Sequence, residues 1–189
     1  EGVNQIQVQP EIDFSFAEGL RSILRQDPDV IMVGEIRDLE TAKIAIQAAL
    51  TGHLVLATLH TNDAAGTINR LLDMGVENYL LASTLNGVLA QRLVRRLCPD
   101  CKESYSLAKS QLESLEEGPA PEQEVYQAVG CAECNNIGFA GRIGIYELLT
   151  IDAELKSAIS HGERIETIRQ LARGKGMESL FADAEAKFR

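Results

Sequence analysis

All four cysteines of the chain fall in two pairs, Cys98-Pro-Asp-Cys101 and Cys131-Ala-Glu-Cys134, with residues 102–130 between them. Two residues between thiolates let both sulfurs of a pair reach one tetrahedral ion at about 2.3 Å, which is the spacing of a structural zinc site. The spacer exceeds the usual ~15–20 residues, but lengthening a loop raises the entropy of closure only logarithmically. The excess maps onto the polar, acidic stretch 107–124. Two other readings compete with zinc. Disulfides need an oxidising compartment, and the opening EGVNQIQVQP shows no charged-then-apolar leader, so export is not expected. A redox CxxC of the thioredoxin type needs one pair and not two. With four protein ligands the ion has no open position, so Cys98, Cys101, Cys131 and Cys134 are expected to hold structure together.

The second constellation is acidic and basic. The apolar run DVIMV delivers Gly34 and Glu35 at its carboxyl end, where open parallel sheets bind ligands. A carboxylate there can polarise a water or act through one on a metal-bound phosphate. Taken by itself, a strand-end glutamate is more often a cap or an ion-pair partner. The next apolar run, LVLATL, ends at His60, and Arg37 follows Glu35 closely, so two strand tips would bring an acid, an imidazole and a guanidinium together. His60 in isolation reads as a cap or core histidine, and His53, just after the helix-stopping Gly52, reads still more strongly as structural. Arg21 and Arg25 stand at i and i+4 on a helix with Glu18 one turn back. They are two forks aimed at a polyphosphate or a surface ion pair, and the spacing does not choose.

These side chains are carried by a pattern of alternating elements. Residues 5–9 alternate like a strand closed by Pro10, and 14–26 put Phe16, Ala17, Leu20, Ile23 and Leu24 on one helical face. Residues 29–33 and 54–59 read as strands buried on both faces. Between them a helix over 39–51 has Asp38 as N-cap and Gly52 as its stop. A helix over 64–74 stops at Gly75, and a longer one is predicted over 79–96. Residues 107–124, with Pro119 and Pro121, are expected to form a mobile excursion or a short helix plus loop. A strand from 141 and helices at 153–160, 165–173 and 177–188 complete the chain. The expected division is an α/β part (1–97), a cysteine-bounded insert (98–134) and a strand with helices (135–189), in the manner of a doubly wound sheet.

Composition excludes several classes. The chain has 189 residues, 45% hydrophobic, with only 15 Gly and 5 Pro, so it is neither disordered nor fibrous. No apolar run reaches the ~20 residues needed to span a bilayer. A net charge of -10 counts against nucleic acid as a partner. Arginine outnumbers lysine 12 to 6, which suits a few cations placed at a site.

Three stretches carry a resemblance: LRSILRQDPDVIMVGEIRDLETAKIAIQAALTGHLVLATLHTNDAAG, LAQRLVRRLCPDCK and GCAECNNIGFAGRIGIYELL. Together they resemble the carboxyl-terminal ATPase domain of the secretion traffic ATPases, nearest the type II secretion ATPase and next the type IV pilus assembly ATPase, over essentially the whole chain. The resemblance implies a partial RecA-like sheet with a tetracysteine zinc insert and a helical tail. It makes DVIMVGE the Walker B strand with Glu35 as catalytic carboxylate, and TGHLVLATLHTNDA the histidine box containing His53 and His60. It implies that Arg21, Arg25, Arg37 and Arg142 contact nucleotide or communicate between subunits, and that the cysteines bind zinc. The full-length protein would use ATP and Mg2+ as a homohexamer in the cytoplasm, peripheral to the inner membrane through docking proteins, and would drive a membrane platform that assembles a pseudopilus. No G-x-x-x-x-G-K-[ST] occurs, so the phosphate cradle is missing. The chain is therefore expected to be a fragment that begins inside the sheet and is inactive alone. A zinc-stabilised binding module without chemistry is the alternative of another class, and a motor acting on DNA is disfavoured by the charge.

Overall fold

In a computed structural model, residues 2–105 and 125–188 are described. The chain forms two compact units, one from residues 1–88 and 149–174 and the other from 89–148 and 175–189.

The first unit begins with irregular chain. Residues 5–9 do not form the expected strand: only a single bridge joins Gln9 to Phe14. Alternation alone does not make a strand where no neighbouring strand takes up its amides and carbonyls. Helix α1 (Phe16–Ile23) starts at a capping box in which Ser15 and Glu18 satisfy each other's amides. It tightens into a 3-10 turn over Leu24–Gln26, and Asp27 turns the chain at φ +50 before Pro28. Strand β1 (Val30–Val33) runs parallel to β2 (Leu54–Ala57), with Val33 opposite Ala57. Helix α2 (Leu39–Leu50) links them. Asp38 caps it, accepting from the Thr41 amide at 2.8 Å and the Thr41 hydroxyl at 3.0 Å, and Gly52 ends it at φ +102. Leu20, Ile31, Val33, Ala45 and Ala48 form the core between α1, β1 and α2.

The expectation that both strands are buried on two faces is corrected. Ile31 and Val33 are buried, but Val30 is 56% and Met32 73% exposed, and Leu54 and Leu56 are likewise open. Among the described residues helices cover one face of this sheet only, and a parallel sheet needs a layer on each.

Asp63 caps α3 (Ala64–Asp73), and α4 (Asn78–Thr84) follows. The predicted helix over 79–96 is overturned beyond Thr84. Residues Gly87–Leu97 are strand β3, paired with β6 (Phe139–Thr150). GVLAQRLVRRL has no β-branched bias strong enough to declare a strand, and pairing with β6 overrides its helical propensity. Helices α5 (Ala153–Ser160) and α6 (Ile165–Gly174) return to the first unit, where α5 packs on α4 and α6 on α3.

The second unit is built on the β3–β6 ribbon. A hairpin of β4 (Glu103–Tyr105) and β5 (Val125–Gln127) pairs Tyr105 with Val125. The expected excursion at 107–124 lies outside the described residues. Helix α7 (Leu180–Phe188) is tied to β6 by Asp183, which accepts from the Tyr146 amide at 2.7 Å and pairs with Lys187. No helix among the described residues is long and apolar enough to cross a membrane.

Candidate functional site

Because β1 and β2 run parallel and in register, their carboxyl ends emerge side by side. The loops beyond them stay joined: the Ile36 amide donates to the Thr58 carbonyl at 3.0 Å, and the Thr58 hydroxyl donates to the Gly34 carbonyl. Glu35 sits between these links with 19% of its side chain exposed. Arg37 Nη2 lies 2.6 Å from Glu35 Oε1, and His60 Nε2, arriving from the neighbouring strand tip, lies 3.3 Å from Oε2. Oε2 is shielded from solvent and has no aligned hydrogen bond. The Arg37 hydrogen bond, aided by its charge and by His60 and opposed by burial, holds the Glu35 carboxyl below the usual carboxylate range. The same contact raises Arg37. The product is an ionised carboxylate with one oxygen taken by the Arg37 fork and the other, beside His60, able to accept a hydrogen bond from a water or substrate group.

The remaining expected residues are placed by other elements. Arg21 pairs with Glu40 at 2.6 Å, both exposed, because Glu18 is committed to the capping box. Arg25 lies in the 3-10 turn, so it does not continue Arg21's face on one α-helix, and it is exposed. His53 Nδ1 stands 2.9 Å from the Ala48 carbonyl and 3.2 Å from the Thr51 hydroxyl, closing the end of α2. Arg142 is exposed on β6 in the second unit.

In that second unit the four cysteines converge. Sγ–Sγ distances are 3.9 Å for Cys98–Cys131 and 3.8 Å for both Cys101–Cys134 and Cys131–Cys134, and all four sulfurs lie within 4.8 Å of one another. A tetrahedron with 2.3 Å metal–sulfur bonds has edges of about 3.8 Å. A disulfide would need about 2.05 Å, and all four thiols are free. The Cys131 and Gly138 amides donate to Cys134 Sγ at 3.2 and 3.3 Å. The Cys131 amide, with Gly138 helping, lowers the Cys134 thiol to about 6, while burial pushes Cys101 up to about 12. The donor set therefore fits a thiolate-binding ion of zinc's size.

Two glycines missed by the sequence reading build this cradle. A Cβ on Gly130 would lie 2.8 Å from the Asn136 carbonyl oxygen, and one on Gly138 would lie 2.7 Å from Ala128 Cβ. Both have positive φ, +125 and +74. Their place beside the second CxxC is the signal that could have found them.

The family model "Type II/IV secretion system protein" matches residues 1–189. The chain is 58% identical over 163 residues to the type II secretion system ATPase E of Vibrio cholerae, covering 86% of this chain and 32% of that protein. It is 52% identical over 180 residues to the type IV pilus assembly ATPase TfpB of Acinetobacter baylyi, covering 94% and 31%. It superposes on the pilus retraction motor PilT with bound ADP at a TM-score of 0.58 and 30% identity, over 91% of this chain and 43% of that one. The likeness agrees with a partial RecA-like α/β sheet, and the chain spans about a third of the length of the curated relatives it matches. From a family match along its full length, the chain belongs to the type II/IV secretion system proteins.

Proposed function

We propose that this chain supplies the Walker B strand, histidine box and tetracysteine module of an ATP-hydrolysing motor for type II protein secretion. The observation that carries the reading is Glu35, ionised at the end of β1 and bracketed by Arg37 at 2.6 Å and His60 at 3.3 Å. A zinc-stabilised binding module has no use for that arrangement. Glu35 Oε2 orients the attacking water, His60 shares that side of the carboxylate, and Arg37 sets the carboxylate's charge. Mg2+ carried with ATP offsets charge on the phosphate oxygens. Arg21, Arg25 and Arg142 are exposed forks that would meet a nucleotide or a second copy in a homohexamer, Arg21 by exchanging its pair with Glu40. The phosphate cradle is not in this sequence, so the 189 residues alone are expected to be inactive. Cys98, Cys101, Cys131 and Cys134 hold a structural zinc, and the parts 1–97, 98–134 and 135–189 serve as core, insert and tail. The motor acts in the cytoplasm, docked on the inner membrane through partner proteins.

The test is an exchange. Replacing the matching segment of the Vibrio cholerae ATPase with residues 1–189 should preserve ATP turnover and secretion, and Glu35→Gln in that hybrid should abolish both. A hybrid that binds zinc and folds but never hydrolyses ATP would sink the reading. The likeness to TfpB supports a second reading, pilus assembly, which the exchange into TfpB would favour if it alone restored function.

A further inference from the structure

His60 is 88% exposed, so its ring is not located by packing, and its distance from Glu35 depends on the backbone that carries it. That backbone is fastened immediately afterwards. Thr61 Oγ1 lies 2.9 Å from Thr67 Oγ1 and donates to the Asp63 carbonyl at 3.2 Å. Asp63 divides its carboxylate: Oδ1 accepts the Gly66 amide at 2.6 Å, capping α3, and Oδ2 accepts Arg169 Nη2 of α6 at 2.7 Å. A cap needs one acceptor, which serine or asparagine provides equally well. The second oxygen and the charge are used by Arg169. Both side chains are 32% exposed, so solvent screens this pair less than it screens Arg21–Glu40.

We infer that Arg169 is a positioning residue: by gripping Asp63 it fixes the loop 60–63 and sets the approach of His60 to Glu35, linking α6 to the strand-end site. Any displacement of α6 is then felt at His60 through one carboxylate. The consequence for turnover rests on the proposed ATPase reading, but the geometric claim does not.

The chain has three histidines, so the imidazole carbon-bound proton resonances of His60 can be assigned with a His60→Gln variant. Glu35→Gln should shift them in the otherwise unaltered chain. In Asp63→Asn, which keeps a cap on α3 while removing the acceptor for Arg169, that response should largely vanish; Arg169→Met should do the same and Arg169→Lys should retain part of it. In the hydrolysing hybrid, Arg169→Met should lower kcat by about 10- to 100-fold with KM for ATP little changed, the size expected of a small misplacement. If Glu35→Gln never moves His60, the Glu35–His60 contact fails and the proposed site fails with it. If the contact is present but Asp63→Asn and Arg169→Met respond as fully as the parent, the site stands and the positioning role is overturned. A loss of kcat with an unchanged His60 response also overturns it.

Discussion

Replacing Gly138 with alanine should damage the metal centre without touching a ligand. The residue has φ +74, and a Cβ there would meet Ala128 Cβ at 2.7 Å and the Val129 amide nitrogen at 3.1 Å. Carbon atoms pack at about 3.5–4.0 Å, so Ala128, just beyond β5, must retreat by most of an ångström. The left-handed backbone costs an L-residue about 1–2 kcal/mol, and forced overpacking about 1–3 kcal/mol. Gly138 cannot relax independently, because its carbonyl accepts the Cys98 amide at 3.0 Å and its amide donates to Cys134 Sγ at 3.3 Å. A cost of about 2–5 kcal/mol levied on the metal-bound fold is roughly a 30- to 4,000-fold loss of zinc affinity. Competition against a chelator of known affinity measures it, with thermal unfolding in parallel. Ala128→Gly in the same chain removes the 2.7 Å contact and should return part of the overpacking cost, leaving the approach to the Val129 amide and the backbone part. Zinc affinity within about threefold of the parent would show that the cradle around Cys134 is not what holds the ion, and failure of Ala128→Gly to recover any affinity would remove the packing argument.

Protein purified without added metal should contain one zinc per chain by elemental analysis; near-zero zinc with four titratable thiols would reject the site. Lowering pH should release that zinc, because protons compete for the thiolates, and a pH-independent affinity would contradict thiolate ligation. In the hydrolysing hybrid, Glu35→Gln should retain ATP binding while turnover falls by about 10²-fold or more. Since the Glu35 carboxyl is held below its unfolded value, its pairing with Arg37 favours the fold above the ordinary carboxylate pKa and is lost as pH falls through the depressed one. Arg37→Ala should therefore move the Glu35 titration upward by carbon-detected NMR. Arg21→Ala should change stability by less than about 1 kcal/mol, as for exposed pairs, and a large loss of turnover alongside would place Arg21 at nucleotide.

Legible in the sequence is whatever local chemistry controls. Asp38, Gly52 and Gly75 bound their helices as expected because caps and stops act over three or four residues. The cysteine spacing led directly to the sulfur cluster, since two residues suffice to close each half. Where the answer depended on a distant partner the reading failed. Gly87–Leu97 is a strand only because β6 lies beside it, and residues 5–9 are not one because no strand among the described residues pairs with them. The grip of Arg169 on Asp63 spans 106 residues, and no spacing rule announces it. Glu18, one turn before Arg21, is taken by the capping box, and the arginine pairs instead with Glu40, 19 residues on, which no helical spacing announces.

The electrostatics of Glu35 bear on what kind of group it is. A general base works best with a pKa near the operating pH, and the Arg37 contact moves Glu35 the other way. Held so, Glu35 is a poor store for a proton but a reliable negative charge, and its Oε2, shielded from solvent, keeps acceptor capacity beside His60. Phosphoryl transfer through a loose transition state asks little basicity of the group that faces the attacking water and much of its placement. The trio is therefore suited to orienting a water more than to deprotonating it. It follows that replacing Arg37 should raise the carboxylate's basicity and yet slow the reaction, because orientation is lost faster than basicity is gained. An Arg37→Ala hybrid that turned over faster than its parent, with its pH profile moved upward, would reverse that order and make Glu35 a base that Arg37 restrains.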